Sequence, residues 1–200
     1  MDRKGLWTAV VVAGWLAMLG AGFQQLWSYS ARPGESGVEA SRWPHQARTP
    51  FDGARGNLVV FLHPRCPCSR ATLTELERLI PRLRGGAAVT ILFVRPPGMP
   101  VEWERGALWS RASQIPGVFV AADEGGREAA LFGAATSGLA VFYGKDGRLL
   151  YRGGLTFARG HEGPNAGVEA VAAAAAGLAG PSDIFRRPAF GCALQTRRHS

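Results

Sequence analysis

Two cysteines separated by one residue have the clearest chemical potential in this chain. Cys66 and Cys68 follow the short apolar run 58–62 and stand directly before an amphipathic segment with helical spacing. The sequence therefore predicts two thiols at or just before a helix N-terminus, where the helix dipole stabilises negative charge. Because the thiolate is the form that attacks disulfides and binds soft metals, this position favours sulfur chemistry.

Thiol–disulfide exchange is the first chemistry that these cysteines predict. A helix dipole contributes about 0.3–1 kcal/mol, or about 2 kcal/mol when partly buried, which lowers a thiol pKa by up to roughly 1.5 units. Arg65 and Arg70 would add to this effect. Cys66, which is nearer the exposed turn, is the predicted nucleophile. The mixed disulfide would be resolved by Cys68 or by Cys192, the third cysteine, which lies in the C-terminal tail.

Two histidines offer further chemistry. His161 lies on a loop and is a candidate catalytic group that accepts a proton from the attacking thiol, although the loop could simply cap the last helix. A second hypothesis is a Cu(I) site made of Cys66, Cys68 and His63, with His161 or Cys192 as a further ligand, because soft sulfur plus imidazole suits that ion. Copper is then the cofactor, whereas disulfide exchange needs none.

The first 27 residues predict a membrane anchor. The run from Gly5 to Phe23 has 19 residues without a charged side chain, about the length that crosses a bilayer. Arg3 and Lys4 precede it, so the positive-inside rule places the N-terminus in the cytoplasm and the rest of the chain outside. We predict a single-pass protein of the cytoplasmic membrane with an uncleaved anchor; a cleaved signal peptide is the alternative.

The strongly basic composition does not indicate nucleic-acid binding. The formal charge is +8, with 21 arginines against 2 lysines. These arginines are scattered rather than gathered into a stripe with interleaved aromatic residues. An exported domain would also not meet cytoplasmic nucleic acid. We therefore expect no nucleic-acid partner.

The rest of the chain predicts one α/β domain. Residues 28–56, rich in Pro, Gly, Ser and Arg, predict a tether with Trp43 and Phe51 as docking aromatics; the domain covers 57–180 and a tail covers 181–200. Strands are predicted at 58–62, 87–94, 118–121, 139–143 and 149–152, and helices at 69–83, 101–113, 128–132 and 165–178. This order is that of a thioredoxin-like fold, a mixed central sheet flanked by helices, with one extra β-α unit.

The domain resembles membrane-tethered thioredoxin-like proteins of the bacterial envelope, in particular the set known as RedB. The resemblance is carried by the segment His-Pro-Arg-Cys-Pro-Cys-Ser-Arg-Ala at 63–71, by Gly-His-Glu-Gly at 160–163 with Asn165, and by Phe-Gly-Cys at 190–192. It covers roughly residues 57–194. It implies a thioredoxin-like fold and an envelope location, and the expected partners are thiols or disulfides of envelope proteins or small thiols.

Two features depart from an ordinary thioredoxin. One residue separates Cys66 from Cys68, where thioredoxins have two. The stretch Thr-Ser-Gly-Leu at 136–139 stands where thioredoxins carry a cis-proline that presents backbone to a peptide substrate. Copper-delivery and peroxiredoxin branches of the superfamily also lack that proline. Three functions therefore stay open: a membrane-tethered thiol–disulfide oxidoreductase, a Cu(I)-binding assembly factor and a redox-silent interaction module.

Overall fold

The computed structural model describes residues 3–178 and 184–194, in two compact units. The first unit ends at Arg32 and contains helix α1, Arg3–Ser30. This helix has 28 residues and is long and apolar enough, by length and composition, to cross a membrane. Because it ends at Ser30, the first residues of the predicted tether are helical.

Six strands form one mixed sheet in the second unit. In chain order they are β1 (Gly56–Leu62), β2 (Ala87–Arg95), β3 (Val118–Glu124), β4 (Leu139–Tyr143), β5 (Leu149–Gly154) and β6 (Phe185–Arg186). Their order across the sheet is β3-β2-β1-β4-β5-β6. The central strand β1 pairs in parallel with β2 and antiparallel with β4, and β4 and β5 form an antiparallel hairpin. The short β6, which the sequence pattern does not predict, pairs with β5.

Helices cover both faces of this sheet. They are α2 (Pro67–Leu83), α3 (Ala107–Ser113), α4 (Arg127–Leu131) and α5 (Ala166–Ala175). Alternate residues of β1 enter two hydrophobic clusters, with Val60 on the side of α2 and α5 and Phe61 on the side of Phe132. Burial on both faces explains the uninterrupted apolar sequence of β1. The strand–helix–strand unit followed by a hairpin and a final helix confirms the predicted thioredoxin-like fold.

The predicted helix over 101–113 is wrong in its first half. Helix α3 begins only at Ala107, and residues 101–104 form turns. The buried Arg95 guanidinium donates both to the carboxylate of Glu104, at 3.2 Å, and to the carbonyl of Val101, at 3.0 Å. These side-chain hydrogen bonds hold the turn backbone in place of helical ones.

The start of α2 also differs from the prediction. The helix begins at Pro67, two residues before the predicted start, and no side chain of the described residues caps it. The hydroxyl of Ser69 donates to the carbonyl of His63, and that of Thr72 donates to the carbonyl of Cys68. At the other end of the domain, α5 stops at Ala175. The predicted domain end at residue 180 and tail residues 181–183 and 195–200 lie outside the described residues.

Much of the segment predicted as a tether packs against the sheet. The indole of Trp43 lies with its ring centre 5.0 Å from that of Phe132 and 5.3 Å from that of Tyr143. The backbone N–H of Trp43 donates to the carbonyl of Gly147 at 2.8 Å. The ring of Phe51 packs at a tilt against the same indole, with the ring centres 5.1 Å apart, so both predicted docking aromatics contact one another. The folded domain therefore includes residues before position 57, which was its predicted start.

Candidate functional site

The turn between β1 and α2 places Cys66 at the start of a helix. The strand ends at Leu62, Cys66 is the N-cap residue, and Pro67 is the first helical residue. Proline suits that position because the N–H that it lacks would have no helical partner there. Cys66 thus lies where the free amide groups of a helix N-terminus favour an anion.

Two buried serines hold this turn against the loop before β4. The hydroxyl of Ser69 donates to the carbonyl of His63 at 2.8 Å and lies 2.8 Å from the hydroxyl of Ser137. The Ser137 oxygen also accepts a hydrogen bond from the N–H of His63 at 2.9 Å. Because both serines are fully buried, this network fixes the distance between the cysteine turn and residue 137.

The C-terminal segment brings Cys192 to Cys66. It runs antiparallel to residues 135–137: the N–H of Ser137 donates to the carbonyl of Cys192 at 2.8 Å, and the N–H of Leu194 donates to the carbonyl of Ala135 at 2.9 Å. The Sγ atoms of Cys66 and Cys192 lie 2.8 Å apart, although 126 residues separate them in the sequence. The two sulfurs are thus in direct contact.

Close packing fixes the position of Cys192. Its neighbour Gly191 has no room for a side chain, because a Cβ atom there would lie 2.0 Å from the carbonyl oxygen of Ser137. The guanidinium of Arg159 donates to the carbonyl of Gly191. On the other side, Leu194 is only 1% exposed and belongs to a hydrophobic cluster. The segment is therefore held on both sides of the cysteine.

Contacts among the three thiols separate their pKa values. The Cys68 thiol, the Cys192 thiol and the N–H groups of both residues hydrogen-bond to Cys66 and lower its pKa far below the usual 9.0, although burial opposes them. The contact with Cys66, aided by burial, raises the pKa of Cys68. Burial, followed by the contact with Cys66, raises the pKa of Cys192 to about 11. At neutral pH, Cys66 is the thiolate and the other two are protonated.

His161 is exposed and lies next to the residue that contacts Cys68. The N–H of Gly160 points at the Cys68 sulfur and opposes the rise in its pKa. The Nδ1 atom of His161 lies 2.9 Å from the carbonyl oxygen of Arg159, and its ring packs 5.2 Å from that of Phe157. Among the described residues, no hydrogen bond joins this ring to a cysteine. The acid–base role of His161 stays a prediction.

His63 is engaged in the turn itself. Its Nδ1 atom accepts a hydrogen bond from the N–H of Arg65 at 3.2 Å, and its ring stands edge-on to Trp103. Burial lowers the pKa of His63, which favours a neutral ring. Within residues 3–178 and 184–194, no three His, Cys, Asp or Glu side chains are grouped to hold a metal ion. The Cu(I) hypothesis with Cys66, Cys68 and His63 as ligands stays a prediction.

The geometry assigns roles in the site to residues that the sequence pattern does not predict as functional. Ser69 and Ser137 hold the turn, Gly191 lets the C-terminal segment approach, and Arg159 binds that segment. Two glycines were a signal in the sequence. Gly191 directly precedes the candidate residue Cys192, and Gly160 directly precedes the candidate residue His161. Glycine before a functional residue often marks a close backbone approach.

Replacement of Cys68 by alanine should raise the pKa of Cys66. The contact with the Cys68 thiol is the largest cause of the lowered pKa of Cys66. Because a hydrogen bond to a charged group contributes about 1.5–3 kcal/mol, its loss corresponds to a rise of about one to two pKa units. The measurement is the pH dependence of Cys66 alkylation by iodoacetamide, followed by mass spectrometry of the peptide.

The wild-type profile provides the reference for that measurement. An ordinary thiol with a pKa near 8.5 loses roughly 75-fold in thiolate fraction between pH 8 and pH 6. The rate of Cys66 alkylation should stay almost constant over this range, because the lowered pKa of Cys66 keeps the thiol ionised. Cys68→Ser, which keeps a hydroxyl donor, is the matched control and should shift the profile less than Cys68→Ala. A wild-type rate that falls like that of a free thiol would contradict the assignment.

Comparisons with known proteins support the fold. No family model and no curated protein matches this chain. Among solved structures, a hypothetical protein from Sinorhizobium meliloti is 20% identical with a TM-score of 0.58, and the match covers 85% of this chain and 100% of that one. An uncharacterized conserved protein from Geobacillus kaustophilus is 18% identical with a TM-score of 0.58, over 85% and 95% of the two chains.

A third similar structure is the exposed lipoprotein thioredoxin Etrx1 from Streptococcus pneumoniae. It is 18% identical with a TM-score of 0.42, and the match covers 62% of this chain and 85% of that one. At these identities, the first two structures show that this chain shares their fold. The function must be argued from the cysteine site.

Proposed function

We propose that this protein is a membrane-tethered thiol–disulfide oxidoreductase whose working pair is Cys66 and Cys192. The observation that carries the proposal is the contact between their Sγ atoms, 2.8 Å apart, at a helix N-terminus. A lowered pKa supplies the thiolate that disulfide exchange requires. Cys68, with its raised pKa, acts as the hydrogen-bond donor that keeps Cys66 ionised.

The reaction proceeds in two exchanges. The Cys66 thiolate attacks one sulfur of a substrate disulfide, so that a Cys66–substrate disulfide forms and one substrate thiolate leaves. Cys192 then attacks the Cys66 sulfur and the Cys66–Cys192 disulfide forms, while the second substrate thiolate leaves with the proton that Cys192 gives up. The protein loses two electrons and the substrate disulfide gains them. A dithiol reductant reverses the sequence and closes the cycle.

His161 is the group that we assign to proton transfer during the second exchange. Cys192 is protonated at neutral pH because burial and its contact with Cys66 raise its pKa to about 11. A base that accepts its proton would therefore accelerate resolution. His161 lies on the loop whose Arg159 holds the C-terminal segment at Gly191, which supports this assignment.

The proposal also includes a membrane anchor and a location outside the cytoplasm. Helix α1 is long and apolar enough to serve as the anchor, and Arg3 and Lys4 at its start favour an N-terminus in the cytoplasm. The domain then lies on the outer side of the cytoplasmic membrane, and the resemblance to RedB proteins supports this expectation. Its partners there are thiols or disulfides of envelope proteins or small thiols.

Dithiothreitol-driven reduction of bis(2-hydroxyethyl) disulfide tests the activity. The full-length protein in a neutral detergent should accelerate this reduction, and prior alkylation of the reduced protein with iodoacetamide should remove the acceleration. A rate equal to that of dithiothreitol alone would contradict the proposal and favour an interaction module. A parallel titration of the reduced protein with Cu(I) tests the other hypothesis: tight binding without turnover would favour the assembly factor.

A further inference from the structure

A cavity of about 400 Å³ opens beside the reactive cysteine. Cys66 forms part of its wall, together with Pro64, Pro67 and Leu108. A volume of this size lies in the range that small ligands occupy. Cys66 is only 1% exposed and Cys192 contacts its sulfur. A substrate disulfide seated in this cavity would therefore lie against the wall that Cys66 forms.

Every charged side chain that lines this cavity is an arginine. They are Arg65, Arg70 and Arg111. The guanidinium of Arg111 is held by both carboxylate oxygens of Glu77, at 2.8 and 2.7 Å, so its charge is largely compensated. Arg65 and Arg70 are exposed, and in the part of the chain that the structure describes neither forms an ion pair. Two uncompensated positive charges therefore flank the cavity.

These two arginines are available for a ligand. The guanidinium of Arg65 lies 4.9 Å above the ring of Trp103, which fixes its direction without neutralising its charge. The low pKa of Cys66 arises from hydrogen bonds with Cys68, Cys192 and amide groups. The sequence predicts that Arg65 and Arg70 support that shift, but no hydrogen bond joins either side chain to Cys66 within the described residues. Their charges face solvent at the mouth of the cavity.

We infer that this cavity selects disulfides that carry carboxylates close to the sulfur. Arginine forms bidentate hydrogen bonds with carboxylates, and two arginines at one mouth raise the local concentration of anions. The inference rests on the proposed function, since it names the class of substrate that Cys66 attacks. The exchange itself is unchanged: a Cys66–substrate disulfide forms and a carboxylate-bearing thiolate leaves.

Three small disulfides that differ in charge test the inference. They are 3,3′-dithiodipropionate, which carries two negative charges, bis(2-hydroxyethyl) disulfide, which is neutral, and cystamine, which carries two positive charges. The rate of reaction with the reduced full-length protein is measured at low salt. Each rate is divided by that of dithiothreitol with the same disulfide, because leaving-group pKa values differ. We expect the anionic probe to exceed the neutral one by about tenfold and cystamine to be slowest.

Variants that remove positive charge test whether Arg65 and Arg70 cause the preference for the anionic disulfide. In Arg65→Gln/Arg70→Gln the ratio of the anionic to the neutral rate should fall close to one, and high salt should have the same effect on the wild type. Arg84→Gln is the matched control, because Arg84 is exposed and caps the opposite end of α2, about 25 Å along the helix. Its ratio should equal that of the wild type.

The outcomes separate this inference from the proposed function. Equal normalised rates for the three disulfides, or a ratio that persists in the double variant, would overturn the inference while turnover of the neutral disulfide upholds the oxidoreductase. No reaction with any disulfide would overturn both. A peptide disulfide flanked by glutamates identifies the source of the carboxylates. A peptide that reacts as fast as dithiodipropionate supports an acidic polypeptide substrate, and a slower one supports a small molecule.

Discussion

Replacement of Cys66 by serine should reduce disulfide turnover at least 100-fold, to the rate of the reductant alone. Cys66 is the thiol whose pKa lies far below its usual value, so it supplies the ionised sulfur at neutral pH. A serine hydroxyl in the same place stays protonated and cannot form a disulfide. The measurement is dithiothreitol-driven reduction of bis(2-hydroxyethyl) disulfide by the full-length variant.

Cys68→Ser is the matched comparison for this result. It removes the other cysteine of the Cys-Pro-Cys segment but keeps a hydroxyl donor and the contact between Cys66 and Cys192. We expect it to retain turnover within about tenfold of the wild type, since a hydrogen bond of altered strength shifts the Cys66 pKa by only one or two units. Equal loss of turnover in both variants would instead make Cys66 and Cys68 the working pair.

Gly191→Ala should uncouple the two working cysteines without removing either sulfur. An added Cβ atom would lie 2.0 Å from the carbonyl oxygen of Ser137, a contact that forces the C-terminal segment away from residues 135–137. Because a displacement of about 1 Å can cost on the order of 100-fold in rate, we expect resolution of the mixed disulfide to slow by about that factor. The Cys66–substrate disulfide should then accumulate and be visible in the mass of the intact protein.

Two other variants serve as comparisons for that result. Cys192→Ser removes the resolving sulfur and should accumulate the same mixed disulfide. Gly53→Ala is the matched control, because its added Cβ atom would have as its nearest neighbour only the ring of Phe51, at 3.9 Å, and it should behave like the wild type. Rapid resolution in Gly191→Ala, with no mixed disulfide, would show that a different thiol resolves it.

The sequence predicted the helix-terminal position of Cys66 well because the signals are local. The apolar run of β1 and the helical spacing of the leucines lie within about thirty residues. Each of these features acts through backbone geometry or through burial of one helix face. The thioredoxin-like order of elements followed from the same kind of local pattern.

The contact between Cys66 and Cys192 was not predictable by the same means. Cys192 reaches Cys66 through backbone hydrogen bonds with residues 135–137, which are more than fifty residues away in the sequence. Nothing in the local pattern around Cys192 specifies that partner, so Cys68 and Cys192 stayed equal candidates for the resolving thiol. The predicted helix over 101–113 was wrong for a different reason: the Arg95 side chain, six residues before Val101, holds residues 101–104 as turns through hydrogen bonds that a helical pattern does not indicate.

The central claim is that oxidation joins Cys66 to Cys192, and peptide mapping of the oxidised wild-type protein tests it most directly. Trypsin leaves Cys66 and Cys68 together in the peptide 66–70 and Cys192 in the peptide 187–197. We expect these two peptides to be linked, and fragmentation at the bond before Pro67 should place the bridge on Cys66, with Cys68 free to react with iodoacetamide. An unlinked peptide 66–70 that has lost two hydrogens, with Cys192 alkylated, would contradict the claim.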